Sequence, residues 1–301
     1  MSYFRSMAEA YLRTYHILST DPLSKDFSDL RSTGNGFVIE YRDRRYLVTC
    51  EHVIMPQNEV DLCEYERSPM IGVISGRNDD DAHQSVMFFM GGWYQFTASR
   101  NTSDELNWPV PVDLAFCDAC DLHMKCVSAG FYDEVTGLFV PPNTPTGYFP
   151  EALFMPYAAQ GEQDYFVIGK IIPTKHDGWN LKPKERLHEN LKFVRTEGVE
   201  IVLHTGEEIR KVEDWAGLSG CPVVSADGRL LGMLVRVVDD GHEVFVMPIW
   251  RILKFIDMVN GAKQVGIDTD NPFITVPPGT TMNDVERNAA LKSAIDIVKN
   301  R

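Results

Sequence analysis

Residues 214–224, DWAGLSGCPVV, set a serine between two glycines directly before an apolar run. Gly, Ser and Pro mark tight turns because of their backbone geometry, so the segment is typical of a turn that leads into a buried strand. The same turn could instead present the hydroxyl of Ser219 as a nucleophile. A hydroxyl attacks a carbonyl carbon only when a neighbouring base accepts its proton, so the nucleophile interpretation requires such a base elsewhere in the chain.

His52 is the best candidate for that base. Histidine is the usual general base in proteins because an imidazole titrates near neutral pH. Of the eight histidines, His52 directly follows a strand-like run in LVTCEHVI, and the apolar Val53 and Ile54 anchor the turn after it. The other histidines fall in a predicted helix, in polar loops or in turns. A lone histidine is more often structural than catalytic, so the interpretation also requires an acid.

Asp113 is the candidate acid. The segment PVDLAF places it at the start of an apolar strand, where an unpaired carboxylate would be costly, so a partner is expected. An acid buried against an imidazole fixes the tautomer of the ring and stabilises its cation. Asp113 could alternatively cap a turn. The three candidates occur in the chain order His52, Asp113, Ser219.

In this order and at about this spacing, the segments LVTCEHV, DLAF and GLSGCPVV resemble the three signature segments of trypsin-like (chymotrypsin-fold) serine peptidases. GNGFVIE, DYFVIGKI and the apolar runs that follow extend the resemblance to about residues 30–260. It implies an all-β fold of two six-stranded antiparallel β-barrels, with a boundary near residues 150–165 and the site in the cleft between the barrels. Residues 1–29 and 261–301 lie outside the resemblance.

The resemblance implies a role for each site residue. Ser219 would be the nucleophile, His52 the general base and then the general acid, and Asp113 the group that orients His52. The backbone N–H groups of Gly217 and Ser219 would form the oxyanion hole. The implied function is a serine endopeptidase that cleaves protein or peptide substrates through an acyl-enzyme and uses no cofactor. The alternative is a catalytically silent or partner-gated protein-binding module on the same fold.

The sequence departs from the secreted digestive members of this family at two positions. Leu218 stands where those members carry an aspartate that pairs with a new amino terminus after proteolytic activation. Val53 stands where they carry a disulfide cysteine. Both departures favour an intracellular, non-digestive type. Cys221, two residues after the serine, is predicted to be a small residue in the wall of the site rather than a nucleophile.

Two acidic residues precede the serine at the position that lies at the base of the primary specificity pocket in the family. Glu213 is six residues before Ser219, and Asp214 follows it. An acid in the pocket would select arginine or lysine at the cleavage site through charge pairing. Alternatively, the loop is built differently and both acids are solvated.

The composition limits the partners. The chain has 301 residues, with 43 acidic against 29 basic side chains and a net charge of −14, which repels phosphate backbones and argues against nucleic acid. No apolar run approaches the roughly 18 residues of a membrane span, and the charged N-terminus does not match a secretory signal. A cytoplasmic location with six reduced cysteines is therefore predicted.

A cysteine and histidine cluster offers a different chemistry. Cys117, Cys120, His123 and Cys126 follow a C-x2-C-x2-H-x2-C pattern, which supplies four possible zinc ligands. Zinc knuckles usually have a longer gap between the ligand pairs, and Cys117 ends a run predicted to be a strand. The prediction is therefore buried or surface thiols without a metal, and a zinc-stabilised regulatory module remains an alternative.

The N-terminal segment, residues 1–29, is predicted to be an amphipathic helix and a connector. Met7, Tyr11, Tyr15 and Leu18 occur at helical spacing in it. At the other end, residues 261–301 contain a Pro/Gly-rich linker and a helix that begins near residue 281 with a capping box. This C-terminal helix packs either on the β domain or on another chain, so it is the predicted site for a protein partner.

Between these segments the pattern predicts many short strands. Gly36–Tyr41 and Arg45–Cys50 flank a charged turn and predict a hairpin. Three strands joined by two Asp-Gly turns are predicted from residue 221 onward. They lead into a helix, Ile249–Val259, that the pair Asn260-Gly261 is expected to end. Residues 173–198 predict a long polar loop.

Overall fold

The computed structural model describes residues 3–20, 30–55, 70–79, 82–95, 112–155, 162–171, 184–198, 200–210 and 214–264. In chain order its strands are β1 (Thr14–Thr20), β2 (Leu30–Tyr41), β3 (Arg44–Thr49), β4 (Met70–Asp79), β5 (Ala82–Met90), β6 (Tyr94–Gln95), β7 (Ala115–Asp118), β8 (Phe131–Tyr132), β9 (Phe139–Val140), β10 (Phe149–Pro150), β11 (Asp164–Ile171), β12 (Lys184–Glu197), β13 (Glu200–Ile209), β14 (Pro222–Ser225), β15 (Leu230–Val237) and β16 (Gly241–Pro248). The α-helices are α1 (Tyr3–Arg13), α2 (Glu51–Ile54), α3 (Leu122–Lys125) and α4 (Ile249–Gln264).

Apart from β8 and β9, which pair only with each other, the strands form two β units, which confirms the predicted all-β, two-barrel fold class. The second unit is a closed barrel in the order β11-β12-β13-β16-β15-β14, with antiparallel pairs. The first unit is an eight-stranded sheet in the order β5-β4-β1-β2-β3-β7-β6, with β10 added in parallel to β2. Strand β11 of the barrel contacts β1 and β2 of the sheet, so the two units meet along these strands.

The β2–β3 hairpin shows how local chemistry sets the strand register, and it confirms the predicted hairpin. Its two-residue turn consists of Arg42 and Asp43, both with positive φ, 50° and 61°. Positive φ at both central positions defines a type I′ turn, whose twist matches that of the flanking strands. The turn fixes the pairing of Gly36 with Thr49 at the far end of the hairpin, next to the candidate histidine.

The N-terminal helix is shorter than its sequence pattern predicts. Helix α1 ends at Arg13, and the chain continues as β1, so Tyr15 and Leu18 lie on a strand instead of a helix. All seven residues of β1 are buried. The strand lies inside the sheet between β2 and β4, and it also contacts β11 of the barrel and the helices α1 and α2. A strand buried on both faces lacks the alternation that distinguishes strands from helices, so the sequence pattern misassigned it.

Two further elements differ from the sequence expectations. Strand β12 occupies much of the segment 173–198, which the sequence predicts to be a loop. The charged residues that favour a loop lie on the exposed face of this strand. Helix α4 continues past Asn260-Gly261 to Gln264. The Asn260 amide donates to the hydroxyl of Tyr46 at 2.9 Å instead of capping the helix, and burial of Phe255 and Ile256 favours helix packing over the local stop signal.

Other expectations are confirmed or lie outside the described residues. The three strands predicted from residue 221 onward are β14, β15 and β16. The C-terminal helix predicted from residue 281 is outside the described residues, and the domain limits given above stay predictions. No helix among the described residues combines the length and the apolar character needed to cross a membrane.

Helix α1 packs on β11 around a buried lysine. Lys170 is 7% exposed, its Nζ donates to the carbonyl oxygen of Thr14 at 2.9 Å, and it lies 4.7 Å from the ring centroid of Tyr11. The Tyr11 hydroxyl donates to Glu185 at 3.2 Å. Burial lowers the pKa of Lys170 to about 8, although the nearby Glu185 carboxylate acts in the opposite direction. The last turn of α1 and the start of β1 are thus joined to the second unit through a desolvated cation.

This burial predicts a pH dependence of stability. The unfolded chain holds the Lys170 proton up to about pH 10.5 and the folded chain only up to about pH 8, so stability should rise with pH between these values. The expected rise is about 3 kcal/mol in the free energy of unfolding, since each pKa unit corresponds to about 1.4 kcal/mol. Chemical denaturation of the wild type and Lys170→Met at pH 7.5 to 10.5 measures it. Parallel curves for the two proteins would contradict the prediction.

Candidate active site

Strand pairing brings His52 and Asp113 together. In the β3–β7 pair, Thr49 lies opposite Ala115, so the end of β3 and the start of β7 share one edge of the sheet. His52 follows Thr49 by three residues on the short helix α2, and Asp113 precedes Ala115 by two. The antiparallel register alone therefore places two residues that are 61 positions apart at the same corner.

The two side chains form a direct pair. The Nδ1 of His52 lies 2.6 Å from Oδ2 of Asp113, and the backbone N–H of His52 donates to Oδ1 at 3.1 Å. A carboxylate only accepts hydrogen bonds, so Nδ1 carries the proton and Nε2 of the neutral ring is left as the basic nitrogen. The His52 side chain is 33% exposed and that of Asp113 is 17%, so the ring can meet a ligand while the carboxylate is shielded behind it.

The segment 214–221, called here the serine loop, consists of two consecutive tight turns. The N–H of Leu218 donates to the carbonyl of Trp215 at 3.0 Å, and the N–H of Cys221 donates to the carbonyl of Leu218 at 3.0 Å. Gly217 and Gly220 occupy the third position of each turn, with φ of +86° and +84°. Positive φ at this position defines a type II turn, which explains the spacing of the two glycines around Ser219.

The serine loop is tied to the segment that carries His52. The carbonyl oxygen of Leu234 accepts from the N–H of Gly220 at 2.9 Å and from the thiol of Cys50 at 3.3 Å. Gly220 directly follows Ser219, and Cys50 lies two residues before His52. One carbonyl of β15 thus binds the backbone next to Ser219 and a side chain close to His52.

A second connection runs through the start of β2. A Cβ atom on Gly34 would lie 2.5 Å from Cγ2 of Val53 and 3.1 Å from the carbonyl oxygen of Ser219. Val53 is the neighbour of His52, so the segment that carries His52 and the backbone of Ser219 both lie against the same glycine. The N–H of Asn35 donates to the Ser219 carbonyl at 2.8 Å. Sequence reasoning missed Asn35, although an asparagine between two glycines is unusual in a strand and could have drawn attention.

The cysteines beside the site are buried thiols. Cys50 and Cys221 are fully buried, and desolvation raises the pKa of both. The Asp113 carboxylate also raises the pKa of Cys50. A thiol held in its protonated form is a weak nucleophile, which agrees with a wall role for Cys221. Its Sγ packs against Gly169 of β11.

The predicted specificity residues are only partly described. Asp214 is exposed, and Glu213 lies outside the described residues. Next to Asp214, the rings of His188 and Trp215 stack with centroids 3.7 Å apart. Burial lowers the pKa of His188 to about 4, so this ring stays neutral at physiological pH. The charge preference of the pocket stays a prediction.

The cysteine and histidine cluster of the sequence is spread out. Cys117 and Cys126 are buried, whereas Cys120 is exposed. Across the part of the chain that the structure describes, the possible metal ligands that lie within 4.8 Å of one another as a group of three or more are Cys50, His52 and Asp113. The four residues between 117 and 126 do not form such a group.

Comparisons with known proteins give a fold neighbour. No family model and no curated protein matches the sequence. Among solved structures, the chain is similar to the serine endoprotease from Yersinia pestis, with a TM-score of 0.45 and 16% sequence identity. The similarity covers 86% of this chain and 66% of that one, so the chain spans just under two thirds of the length of that protein. A likeness this distant assigns no activity.

The close approach at Gly220 makes this glycine the most sensitive position of the serine loop. A Cβ atom there would overlap the backbone oxygen of Asn35, and φ is +84°. Gly220→Ala should therefore lower the free energy of unfolding by about 2 to 4 kcal/mol. Gly206→Ala is the control, because a Cβ at Gly206 meets nothing within 4 Å. Urea denaturation measures both variants, and equal stabilities would show that the loop is not held as described.

Proposed function

We propose that the protein is a serine endopeptidase that cleaves protein or peptide substrates through an acyl-enzyme. The observation that carries the proposal is the His52–Asp113 pair at 2.6 Å, with the partly exposed ring at the corner to which the Ser219 backbone is tied. The pair supplies an oriented base, and the type II turns supply a hydroxyl on a constrained loop. These are the components that acyl transfer requires.

In the proposed first step, Nε2 of His52 accepts the proton of the Ser219 hydroxyl while Oγ bonds to the substrate carbonyl carbon. The carbonyl oxygen becomes an oxyanion, and Asp113 stabilises the imidazolium that forms. When the tetrahedral intermediate collapses, the C–N bond breaks and His52 gives its proton to the leaving amine. A water molecule then repeats the sequence on the acyl-enzyme, which returns the proton to Ser219 and releases the acid.

The backbone N–H groups of Gly217 and Ser219 are proposed as the oxyanion donors. The positive φ of Gly217 is a conformation that side-chain-bearing residues rarely adopt, so glycine permits this orientation of its N–H group. Donors fixed before the reaction stabilise the developing charge without reorganisation. The cytoplasmic location, the basic preference from Glu213 and Asp214, and a partner at the C-terminal helix stay predictions beside this proposal.

An active-site probe tests the proposed function. A fluorophosphonate should label the wild type at one site, and Ser219→Ala and His52→Ala should abolish the labelling because they remove the nucleophile and its base. Intact-protein mass spectrometry measures the mass increase, and peptide mapping locates it. Absence of labelling in the folded wild type, or equal labelling of Ser219→Ala, would support the binding-module alternative and contradict the peptidase.

Replacement of the acid tests the role of the pair. Asp113→Asn keeps the shape but removes the charge that stabilises the imidazolium, so the labelling rate should fall by about 10²- to 10⁴-fold. The control is Asp239→Asn, since Asp239 is exposed in the β15–β16 turn. The labelling rates of both variants are measured by quenching the reaction at fixed times, and equal circular dichroism spectra show that both are folded. A loss in Asp113→Asn no larger than in the control would show that the carboxylate takes no part.

A further inference from the structure

Asn35 is a fully buried polar residue that sits where the two β units meet. It lies near the start of β2, and its side chain points across to β11. The side-chain Oδ1 accepts from the N–H of Lys170 at 2.9 Å, and Nδ2 donates to the carbonyl of Lys170 at 2.9 Å. This pair of bonds fixes the plane of the amide group.

The second donor of the same amide reaches the serine loop. Nδ2 also donates to the carbonyl oxygen of Gly217 at 2.6 Å. Both N–H groups of the asparagine side chain are thereby used, and its oxygen is used as well. The side chain thus links β11 to one proposed oxyanion residue.

The backbone of Asn35 contacts Ser219, the other proposed oxyanion residue. Its N–H donates to the carbonyl of Ser219 at 2.8 Å, and its own carbonyl accepts from the hydroxyl of Thr49 at 2.6 Å. Thr49 is the last residue of β3, three positions before His52. One residue therefore contacts the serine loop on both sides of Leu218 and contacts the strand that leads to the histidine.

These contacts restrain a peptide that glycine alone would leave free. Glycine adopts positive and negative φ with similar ease, so Gly217 does not by itself keep its N–H group in one direction. The carbonyl of Gly217 is held by Asn35, and the N–H of Leu218 in the same peptide group is held by Trp215 at 3.0 Å. Both edges of the Gly217–Leu218 peptide group are therefore fixed. The N–H of Gly217 belongs to the preceding peptide group, so these bonds restrain it indirectly, by fixing the backbone on the other side of the Gly217 Cα.

We propose that Asn35 is a positioning residue that keeps the oxyanion donors of the serine loop in place through its hydrogen bond to the Gly217 carbonyl. The inference rests on the proposed peptidase function. Asn35 acts through the loop, so it should affect the chemical step more than the binding of a ligand. An amide suits this position because it donates twice and accepts once while adding no charge to a buried junction.

The test is the kinetics of fluorophosphonate labelling in Asn35→Asp, which keeps the shape but places an acceptor against two carbonyl groups. Asn35→Ser is the second variant, because its hydroxyl is too short to keep these contacts and places no charge in the junction. Asn143→Asp on the exposed surface is the control. For each protein, the maximal labelling rate, the half-saturating probe concentration and the fraction labelled at completion are measured between pH 5 and 9.

The maximal rate should fall at least about ten-fold in either Asn35 variant that stays folded, because misplaced oxyanion donors stabilise the transition state less well. The half-saturating concentration should change by less than about two-fold. The fraction labelled should match the wild type in both variants. The pH midpoint should match it in Asn35→Ser, which leaves the His52–Asp113 pair untouched and adds no charge near it. Thermal unfolding identifies variants that do not fold.

Two other outcomes would overturn the inference. If the labelled fraction falls while the labelled molecules react at the wild-type rate, Asn35 only stabilises the fold. If all constants match those of Asn143→Asp, the amide does not position the loop. Both differ from a failure of the proposed function, in which the folded wild type is not labelled at all.

Discussion

The hydrogen bonds between the start of β2 and the serine loop are the contacts on which the candidate site depends. His52 and Asp113 belong to the first sheet, whereas Ser219 belongs to the loop before β14 of the barrel. Neither unit contains a complete site, so their relative position decides whether the residues can act together. The bonds from Asn35 to Ser219 and to Gly217, at 2.8 and 2.6 Å, are short, and they set that position directly.

Missing side chains matter as much at this junction as the side chains that are present. Gly34 lies between Val53 and Ser219, and Gly220 lies against the Asn35 carbonyl. A methyl group at Gly220 would push the two units apart, and one at Gly34 would clash with Val53 and crowd the Ser219 carbonyl. Backbone hydrogen bonds between the units require this close approach, because an N–H···O bond spans only about 2.9 Å. The glycines and the hydrogen bonds are therefore two parts of one constraint.

The sequence predicts the parts of the site that local chemistry determines. Turn residues locate the hairpin before His52, and a carboxylate next to an apolar strand indicates that Asp113 has a partner. The role of Asn35 escapes such reasoning because its contacts lie at Lys170, Gly217 and Ser219, which are far away in the chain. Sequence reasoning misses strands β1 and β12 for another reason. Because β1 is fully buried, its sequence lacks the alternation of apolar and polar residues that is typical of a strand, and the exposed charged residues of β12 are typical of a loop.

The charge of the groups at the junction of the two units also bears on the candidate site. Two groups that join the units near the site, the amide of Asn35 and the thiol of Cys50, are neutral, and the carbonyl of Asn35 accepts from the neutral hydroxyl of Thr49 in its own sheet. Burial and the Asp113 carboxylate both raise the pKa of Cys50, so this thiol stays protonated and donates to Leu234. A charge at any of these positions would act strongly on the His52–Asp113 pair, because Coulomb interactions are weakly screened in a buried site. The bonds that Asn35 makes to the serine loop therefore join the two units near the His52–Asp113 pair through uncharged groups.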